Sequence, residues 1–370
     1  MSGASLPWAN SARLGLIGNL ENRRISGFRA AVEQCGGAVS ACVAYEEILR
    51  DPGALSSLDA DFLRIDSPGE NDAVHRALIH LGGGPLLSHL EFGEIAWLRE
   101  YHLGFCEVLR RIEQTGLPCL NAPADIAVMF DKWECHNRFV ARGISRPAAT
   151  LAPRSFTELH REMRARGNGR LFLKPLHGSS ASGVCALRWT PLHRQLIAPI
   201  SIVSEGGSTK LVNSLSVRTY TDLNDIECIL DRLLPQGMIS EQWIPKVTLP
   251  GGSADLRVLV IAGEARHWVV RQSQSPMTNL HLGNKRGDPA ALLDQIGPEK
   301  LQKAFDLAVR AASCFPDSLY AGVDVLIDSH HRPFIGEINA FGDLLPGLLH
   351  RGESTYEAIA RACRGPVCSA

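Results

Sequence analysis

The sequence lacks the features that mark several classes of protein. Its 38 basic and 39 acidic residues leave a formal net charge of −1, so no overall field attracts nucleic acid or an anionic membrane. No apolar run reaches the roughly 18 residues that a membrane span needs. Residues 1–11 lack the charged and then apolar blocks of a signal peptide. We therefore expect a cytoplasmic protein with neither nucleic-acid nor membrane partners.

Paired cysteine motifs are also missing. The chain has ten cysteines but no C-x-x-C pair. Cys135 and His136 are neighbours, yet the sequence offers no second half of a zinc motif beside them. Scattered cysteines of this kind are typical of a reducing compartment. The pattern therefore predicts neither a disulfide framework nor a zinc finger.

Strands and helices alternate in the first third of the 370 residues. Short apolar segments at residues 13–18, 38–44 and 62–65 are separated by helical patterns, which predicts a parallel sheet covered by helices. Later segments include hairpins and favour an α+β arrangement. The length suits two or three domains, and we place the first boundary near residue 120.

The segment Ser67–Glu70 (SPGE) has two interpretations. It fits a capping box that starts a helix, with Ser67 as the N-cap and Glu70 reaching back. It also follows a strand whose end carries Arg64 and Asp66, and ligands bind at such strand ends in α/β folds. Arg64, Asp66 and Glu70 are therefore candidate substrate contacts, and the two interpretations are compatible.

Acidic residues interrupt two apolar strands near the C-terminus. If Ile327 pairs with Phe334, Asp324 faces Glu337, and the period of two places Asn339 on the same face. Facing carboxylates repel one another and are costly to bury. Three oxygen ligands on one face suit Mg²⁺. Compensation by nearby Arg or Lys, or one protonated carboxyl, is the alternative.

A lysine followed by a loop of small residues indicates phosphate binding. Lys174 ends a strand, and the loop to Val184 lets backbone N–H groups approach phosphate oxygens. The lysine precedes Gly178 and Gly183, so this is not a Walker loop. An ordinary flexible turn fits the segment equally well.

Two further patterns are weaker. Glu241–Pro245 is a strand end that could line a nucleobase pocket, although Trp243 could equally belong to the core. Arg257 and Arg271 lie on two strands that we expect to pair, so they could converge on one anion. Solvent-exposed arginines are the alternative.

In this order, the segments resemble the ATP-grasp superfamily, and within it the RimK-like and glutathione synthetase-like carboxylate–amine ligases. The resemblance covers residues 121–339. It implies a Rossmann-like pre-ATP-grasp domain at 1–120, a central lobe at 121–205, and a C-terminal lobe at 206–370 that holds Mg²⁺. The matching segments are Leu120–Pro123, Asp131–Lys132, Lys174–Pro175, Glu241–Ile244, Asp255–Val258, Arg271, Asn279–Gly283, Gly322–Asp324 and Glu337–Asn339.

The resemblance also implies roles for individual residues. The ATP-binding positions are Lys132, Lys174, Gly178, Ser179, Ser180, Gly183, Glu241, Gln242 and Ile244. The two lysines would contact the α- and β-phosphates, and the loop would close over them. The metal ligands for two Mg²⁺ are Asp324, Glu337 and Asn339. The residues that would stabilise the transferred phosphoryl group are Arg257, Arg271 and Asn279.

The implied activity is amide formation through an acyl phosphate, with release of ADP and phosphate. The substrates would be small-molecule or peptide carboxylates and amines, and homodimers are common among such ligases. A kinase with a phosphorylated product and a non-catalytic ATP-binding module are the alternatives. The chain departs from the pattern at Asn284, where relatives carry glycine, and at residues 340–343, where many carry Ser/Thr-Pro-Gly.

Overall fold

The computed structural model describes residues 12–56, 58–91, 93–167, 169–178, 181–342, 345 and 347–363. Within these ranges the strands form three sheets. An N-terminal parallel sheet precedes two antiparallel sheets, which confirms the predicted fold class. None of the helices in the described ranges combines the length and the apolar character needed to cross a bilayer.

The first sheet is parallel, as predicted, with the order β2-β1-β3. Its strands are β1 (Leu14–Gly18), β2 (Val39–Ala44) and β3 (Phe62–Ile65). Its helices are α1 (Arg23–Gln34), α2 (Tyr45–Arg50), α3 (Asp72–Leu81) and α4 (Leu98–Glu113). A short 3₁₀ turn at Pro52–Leu55 leads into β3.

The predicted capping box at residues 67–70 is wrong. Helix α3 begins at Asp72, and Asn71 is its N-cap, with a side chain that accepts from Val74 N at 2.9 Å. Glu70 has a φ of 67°, a left-handed conformation that does not occur within a helix. Ser67 instead accepts from Gly69 N and closes a local turn. Asparagine is as good an N-cap as serine, so Asn71 can start the helix.

Two glycines allow α3 and α4 to approach each other closely. A Cβ atom on Gly104 would lie 1.9 Å from the carbonyl oxygen of Leu78, and one on Gly82 would lie 1.9 Å from that of Glu100. Both obstacles are backbone atoms of the opposite helix, which cannot rotate away. The contact therefore depends on the absence of a side chain at both positions.

We expect Gly104→Ala to destabilise the protein by about 1–3 kcal/mol, the usual cost of overpacking a tight contact. Urea unfolding followed by circular dichroism measures the change. Leu103→Ala is the matched control, because Leu103 is its exposed neighbour on the same helix. Equal unfolding midpoints for the Gly104 variant and the wild type would show that the helices can separate at little cost.

The second sheet has six strands in the order β4-β9-β5-β6-β7-β8. They are β4 (Ala149–Leu151), β5 (Arg170–Pro175), β6 (Cys185–Trp189), β7 (Arg194–Glu205), β8 (Ser208–Tyr220) and β9 (Met238–Gln242). Helices α5 (Pro123–Met129) and α6 (Lys132–Ala141) precede it. Helices α7 (Phe156–Arg166) and α8 (Leu223–Leu233) share its apolar core, and a 3₁₀ turn spans Leu234–Gln236.

The predicted boundary after residue 205 falls inside this sheet. Strands β7 and β8 form one hairpin, and Glu205 pairs with Ser208 across its turn. Strand β9 also belongs to the same sheet. A division after residue 205 would separate paired strands, so we propose that the central lobe extends to Gln242.

The third sheet has the order β13-β12-β11-β14-β15, with β10 paired to β11. Its strands are β10 (Thr248–Leu249), β11 (Gly252–Ile261), β12 (Glu264–Ser273), β13 (Lys285–Arg286), β14 (Tyr320–Ile327) and β15 (Pro333–Asn339). The remaining helices are α9 (Pro289–Ile296), α10 (Pro298–Ala312), α11 (Thr355–Cys363) and a 3₁₀ turn at Leu280–Leu282. Helix α11 packs on α1 and ties the end of the described chain to the first domain.

The β14–β15 hairpin contains a bulge that the sequence did not reveal. Near its turn, the pairing is shifted by one residue from the predicted match of Ile327 with Phe334. Gly336 is an extra residue on β15 and restores the predicted register beyond it. Asp324 therefore faces Glu337, as the sequence predicted.

Candidate active site

A cavity of about 860 Å³ lies between the second and third sheets. The second sheet contributes Lys174 and Glu241, and the third contributes Asp324 and Glu337. Lys174 Nζ donates to the carbonyl oxygen of Gly336 at 3.1 Å, so a side chain of one sheet bonds to the backbone of the other. The cavity is thus a cleft between two lobes.

One end of this cleft is apolar. The rings of Phe172 and Trp243 meet edge to face at 6.3 Å. Val184, Met277 and Leu326 also line the wall. Walls of this kind suit a flat aromatic ligand such as a nucleobase. Trp243 is half-buried and lines the cavity. It therefore has features of both roles left open from the sequence, a core residue and a wall of a nucleobase pocket.

Two lysines also line this cleft. Lys132 Nζ lies 3.1 Å from Glu337 Oε1 and donates to the carbonyl oxygen of Gly178 at 2.6 Å. Lys174 Nζ lies 2.7 Å from Glu241 Oε2. Two ammonium groups and a glycine backbone at one end of a cleft can receive phosphate oxygens.

The carboxylate of Glu241 is engaged by two cations. Glu241 is buried, with Arg146 Nη2 at 3.0 Å on the side away from Lys174. Arg146 was not identified from the sequence, because it is 95 residues away and follows no motif. Gln242 and Ile244, the other predicted positions of this segment, line the cavity.

The predicted metal ligands are compensated by neighbouring cations. Arg257 Nε lies 2.6 Å from Asp324 Oδ1, and Arg271 Nη1 lies 3.2 Å from Asp324 Oδ2. The two arginines thus converge on one anion, as their strand positions suggested. In this structure the negative charges of Asp324 and Glu337 are thus balanced by arginine and lysine, which was the alternative to a metal site.

The two carboxyls respond differently to their surroundings. Burial raises the pKa of Asp324, although Arg257 and Arg271 oppose the rise. Burial also acts to raise the pKa of Glu337, but Lys132 and Lys174 outweigh it and hold that pKa below its usual range. Glu337 is therefore the more firmly ionised member of the pair.

The donor atoms fit a magnesium ion. Asp324 Oδ1 is buried and accepts no hydrogen bond from the described residues, because its contact with Arg257 Nε is close but misaligned. The side-chain nitrogen of Asn339 donates to the carbonyl oxygen of Gly322, which leaves its amide oxygen as a donor for a ligand. Two carboxylates and an amide oxygen are hard ligands of the kind that Mg²⁺ takes.

A buried network holds Arg271 in place. Asp255 is 2% exposed, and it receives Arg271 Nε and Lys246 Nζ at 2.8 Å each. Thr278 donates a short hydrogen bond to the same carboxylate. Lys246 and Thr278 also line the cleft, yet neither was identified from the sequence.

A second cavity, of about 1720 Å³, adjoins the first and lies between the N-terminal domain and the third sheet. Gly178, Asn279 and Glu337 border both cavities. Basic residues predominate among the charged residues of its wall, which are Arg23, Arg24, Glu70, Arg257, Arg286 and Glu337.

The three predicted substrate contacts have different positions. Arg64 is 1% exposed, with its guanidinium 4.1 Å from the Phe28 ring, and it lies 3.0 Å from Asp66. Asp66 is equally buried and holds Arg24 Nε at 2.8 Å. Glu70 lies on the wall of the second cavity. Arg64 and Asp66 thus do not line the cavity. Asp66 holds Arg24, which does line it, and Arg64 pairs with Asp66.

The structure describes part of the predicted loop, and it describes Asn279. Ser179 and Ser180 lie outside the described residues. Gly183 has a φ of 69°, and a Cβ atom there would lie 2.8 Å from Pro175 Cγ, so it shapes the end of the loop. Asn279 accepts from His281 N at 3.0 Å and caps the 3₁₀ turn between the two cavities.

Known proteins resemble this chain in sequence and in fold. A probable alpha-L-glutamate ligase of Stutzerimonas stutzeri (strain A1501) is 28% identical over 297 residues, which cover 78% of this chain and 80% of that protein. The crystal structure of D-cycloserine synthetase DcsG has a TM-score of 0.60 at 12% identity and covers 95% of this chain and 98% of its own. The D-alanine–D-alanine ligase of Bacillus anthracis complexed with ATP has a TM-score of 0.53 at 13% identity, with 96% and 98% covered.

The family match includes the whole cleft. The model of the YheC/D-like ATP-grasp family matches residues 125–343. That range contains both lysines, the paired carboxylates and both arginines of the cleft. The ATP-grasp prediction is thereby confirmed, and the chain belongs to the YheC/D-like ATP-grasp family.

Proposed function

We propose that this protein is an ADP-forming carboxylate–amine ligase that uses ATP to activate a carboxylate as an acyl phosphate. The observation that carries the proposal is the junction of two cavities at Gly178, Asn279 and Glu337. A cleft suited to a nucleotide meets a larger basic cavity there. The relatives named as glutamate ligase and D-alanine–D-alanine ligase point to the same reaction class.

The cleft suggests one orientation for ATP. The base would fit the apolar wall formed by Phe172 and Trp243, and the phosphates would lie beside Lys132 and Lys174. The lysines would exchange their present carboxylate partners for phosphate oxygens. Binding the nucleotide this way places its γ-phosphate towards the second cavity, beside Glu337.

Asp324, Glu337 and Asn339 would hold Mg²⁺, which neutralises phosphate charge when bound. Arg257 and Arg271, which contact Asp324 in this structure, would then be available to the transferred phosphoryl group. Phosphoryl transfer needs positioning and charge neutralisation rather than a protein nucleophile. None of the ten cysteines is therefore required for the chemistry.

The reaction has two balanced steps. A carboxylate oxygen of the first substrate attacks the γ-phosphorus of ATP, and ADP leaves as the acyl phosphate forms. The amine of the second substrate then attacks the acyl carbon, phosphate leaves, and the amine loses a proton. Arg23 and Arg286 on the wall of the second cavity favour substrates with acidic groups, either small molecules or peptides.

ADP release by the full chain with Mg²⁺ and ATP tests this proposal, with pooled carboxylic acids and amines as substrates. We expect turnover when an acid and an amine are both present. A stable phosphorylated product without amide would identify a kinase instead. Formation of AMP and pyrophosphate would contradict the proposal, because the acyl-phosphate route releases ADP.

We expect Lys174→Met to raise the KM for ATP by roughly 10- to 100-fold, because charge-assisted hydrogen bonds contribute about 1.5–3 kcal/mol. Methionine keeps the apolar stem, and Arg146 still pairs with Glu241. Steady-state kinetics at varied ATP measures the effect. Lys303→Met, on the exposed face of α10, is the control. An unchanged KM would mean that Lys174 serves only to bridge the two sheets.

A further inference from the structure

A second group of possible metal ligands lies at the start of the loop that follows β5. His102 on α4, Asp131 at the N-cap of α6 and His177 after β5 have ligand atoms that all lie within 4.8 Å of one another. The side chains of His177 and Asp131 are 10% and 21% exposed, and His102 is 8% exposed. The fold thus gathers residues from three separate elements into one sheltered cluster.

A thiol adjoins this cluster. Cys106 lies one helical turn after His102 on α4, so the two side chains share a face. Cys106 Sγ lies 3.4 Å from His102 Nε2. Two imidazoles, a carboxylate and a thiol make a donor set that suits Zn²⁺ in tetrahedral coordination. Mg²⁺ avoids such nitrogen and sulfur ligands, so this group differs in kind from Asp324 and Glu337.

The contacts within the cluster leave a donor atom unused. His177 Nδ1 is buried, has no hydrogen-bond partner among the described residues, and lies 3.8 Å from Asp131 Oδ2. The rings of His102 and His177 stack at 4.0 Å. Burial lowers the pKa of His102 to about 4 and also lowers that of His177. Both rings are therefore neutral near pH 7, the form that binds metals.

We propose that His102, Asp131 and His177 bind one transition-metal ion of the Zn²⁺ class, and that movement of the adjacent Cys106 side chain completes the coordination. Imidazole nitrogens bind a metal in the ring plane, so the stacked rings must part for both to face one ion. On binding, the thiol of Cys106 gives up its proton, because metal coordination favours the thiolate.

The site would connect directly with the nucleotide cleft. Asp131 precedes Lys132, and His177 precedes Gly178, the two residues joined by the 2.6 Å hydrogen bond at the phosphate end. The backbone N–H of Lys132 also donates to the carbonyl oxygen of Leu176 at 3.1 Å. A bound ion would therefore fasten the start of the loop to the N-terminus of α6.

Metal titration of the full chain, first stripped with a chelator, tests the proposal. Competition with a chromogenic chelator gives the Zn²⁺ affinity, and Co²⁺ reports the ligands through its absorption spectrum. We expect one ion per chain, not displaced by excess Mg²⁺. His102→Phe keeps the stacked ring without a donor nitrogen, and Asp131→Asn keeps an N-cap residue. Each should weaken Zn²⁺ binding roughly 100-fold or more, since even outer-shell changes cost about 10- to 100-fold.

Two further variants sharpen the test. Cys106→Ser should remove the sulfur-to-cobalt charge-transfer band, and Glu337→Gln should bind Zn²⁺ like the wild type. Circular dichroism confirms that each variant is folded. The proposal fails if the wild type binds no stoichiometric Zn²⁺, if folded His102→Phe binds it unchanged, or if Glu337→Gln abolishes binding. A charge-transfer band that survives in Cys106→Ser would remove the thiol from the ligand set.

Discussion

Replacing Glu337 by glutamine is expected to lower Mg²⁺-dependent ADP formation by roughly 10²- to 10³-fold, the scale seen when one electrostatic contact to a reacting group is lost. Glu337 lies at the junction of the two cavities, opposite Asp324 on the β14–β15 hairpin. Its carboxylate is held ionised by Lys132 and Lys174. A neutral amide in its place keeps the shape but removes the charge that Mg²⁺ requires.

The fold should tolerate this change, with a stability loss of about 1 kcal/mol or less. Glutamine still offers Lys132 an oxygen to accept its hydrogen bond, and Lys132 keeps the carbonyl oxygen of Gly178. Loss of the negative charge also relieves the repulsion between Glu337 and Asp324. Relief of this repulsion therefore offsets part of the attraction to Lys132 and Lys174 that is lost with the charge.

Steady-state ADP release and thermal unfolding, each with and without Mg²⁺, measure the two effects separately. Glu264→Gln is the control, because Glu264 is exposed at the start of β12, at the opposite end of that strand from Arg271. Turnover within tenfold of the wild type would remove Glu337 from the metal site. A large fall in melting temperature without metal would show that its role is structural.

Local periodicity explains why this hairpin could be predicted. Single acidic residues in apolar strands fix which residues share a face, and that relation survived a one-residue error near the turn. The bulge at Gly336 restores the predicted register beyond it, but the sequence does not mark Gly336 as a bulge. The parallel N-terminal sheet was equally predictable, since alternating strands and helices admit few other arrangements.

Long-range partners could not be predicted in the same way. Arg146 reaches Glu241 because β4, which follows it, pairs with β9, and Lys246 reaches Asp255 because β10 turns back along β11. Arg24 comes to the second cavity through a buried pair with Asp66. Each is an ordinary basic residue in the sequence, and its role depends on the tertiary fold.

Local sequence signals explain why the start of α3 was predicted too early and why a domain boundary was placed at residue 205. Ser67 and Glu70 match the capping-box pattern, but Glu70 has a left-handed backbone and α3 begins only at Asp72. Residue 205 precedes Gly206 and Gly207, a pair that resembles a linker in sequence. In the structure these glycines have φ values of 57° and 81° and form the turn of a hairpin.

Asp255→Ala is expected to cost about 3–5 kcal/mol of folding free energy, the scale for removing one partner of a buried ion pair. Asp255 is 2% exposed, and Arg271 and Lys246 both depend on its carboxylate. Alanine leaves two buried cations without their main partner, although Arg271 keeps Asp324. Activity should fall as well, because Arg271 loses the contact that aims it into the cleft.

The pH dependence of stability provides a second readout for the same residue. Burial acts to raise the pKa of Asp255, but Arg271 and Lys246 outweigh it and hold that pKa well below its usual range. A depressed folded pKa means that the ionised carboxylate contributes its full stability above the unfolded value of about 3.9, and loses it as the pH falls further. Urea unfolding should therefore show a wild-type advantage over Asp255→Ala that is constant near pH 7 and shrinks below about pH 4. Asp306→Ala, on the exposed face of α10, should show neither effect. An advantage that stays constant down to pH 3 would assign the stability to packing rather than to charge.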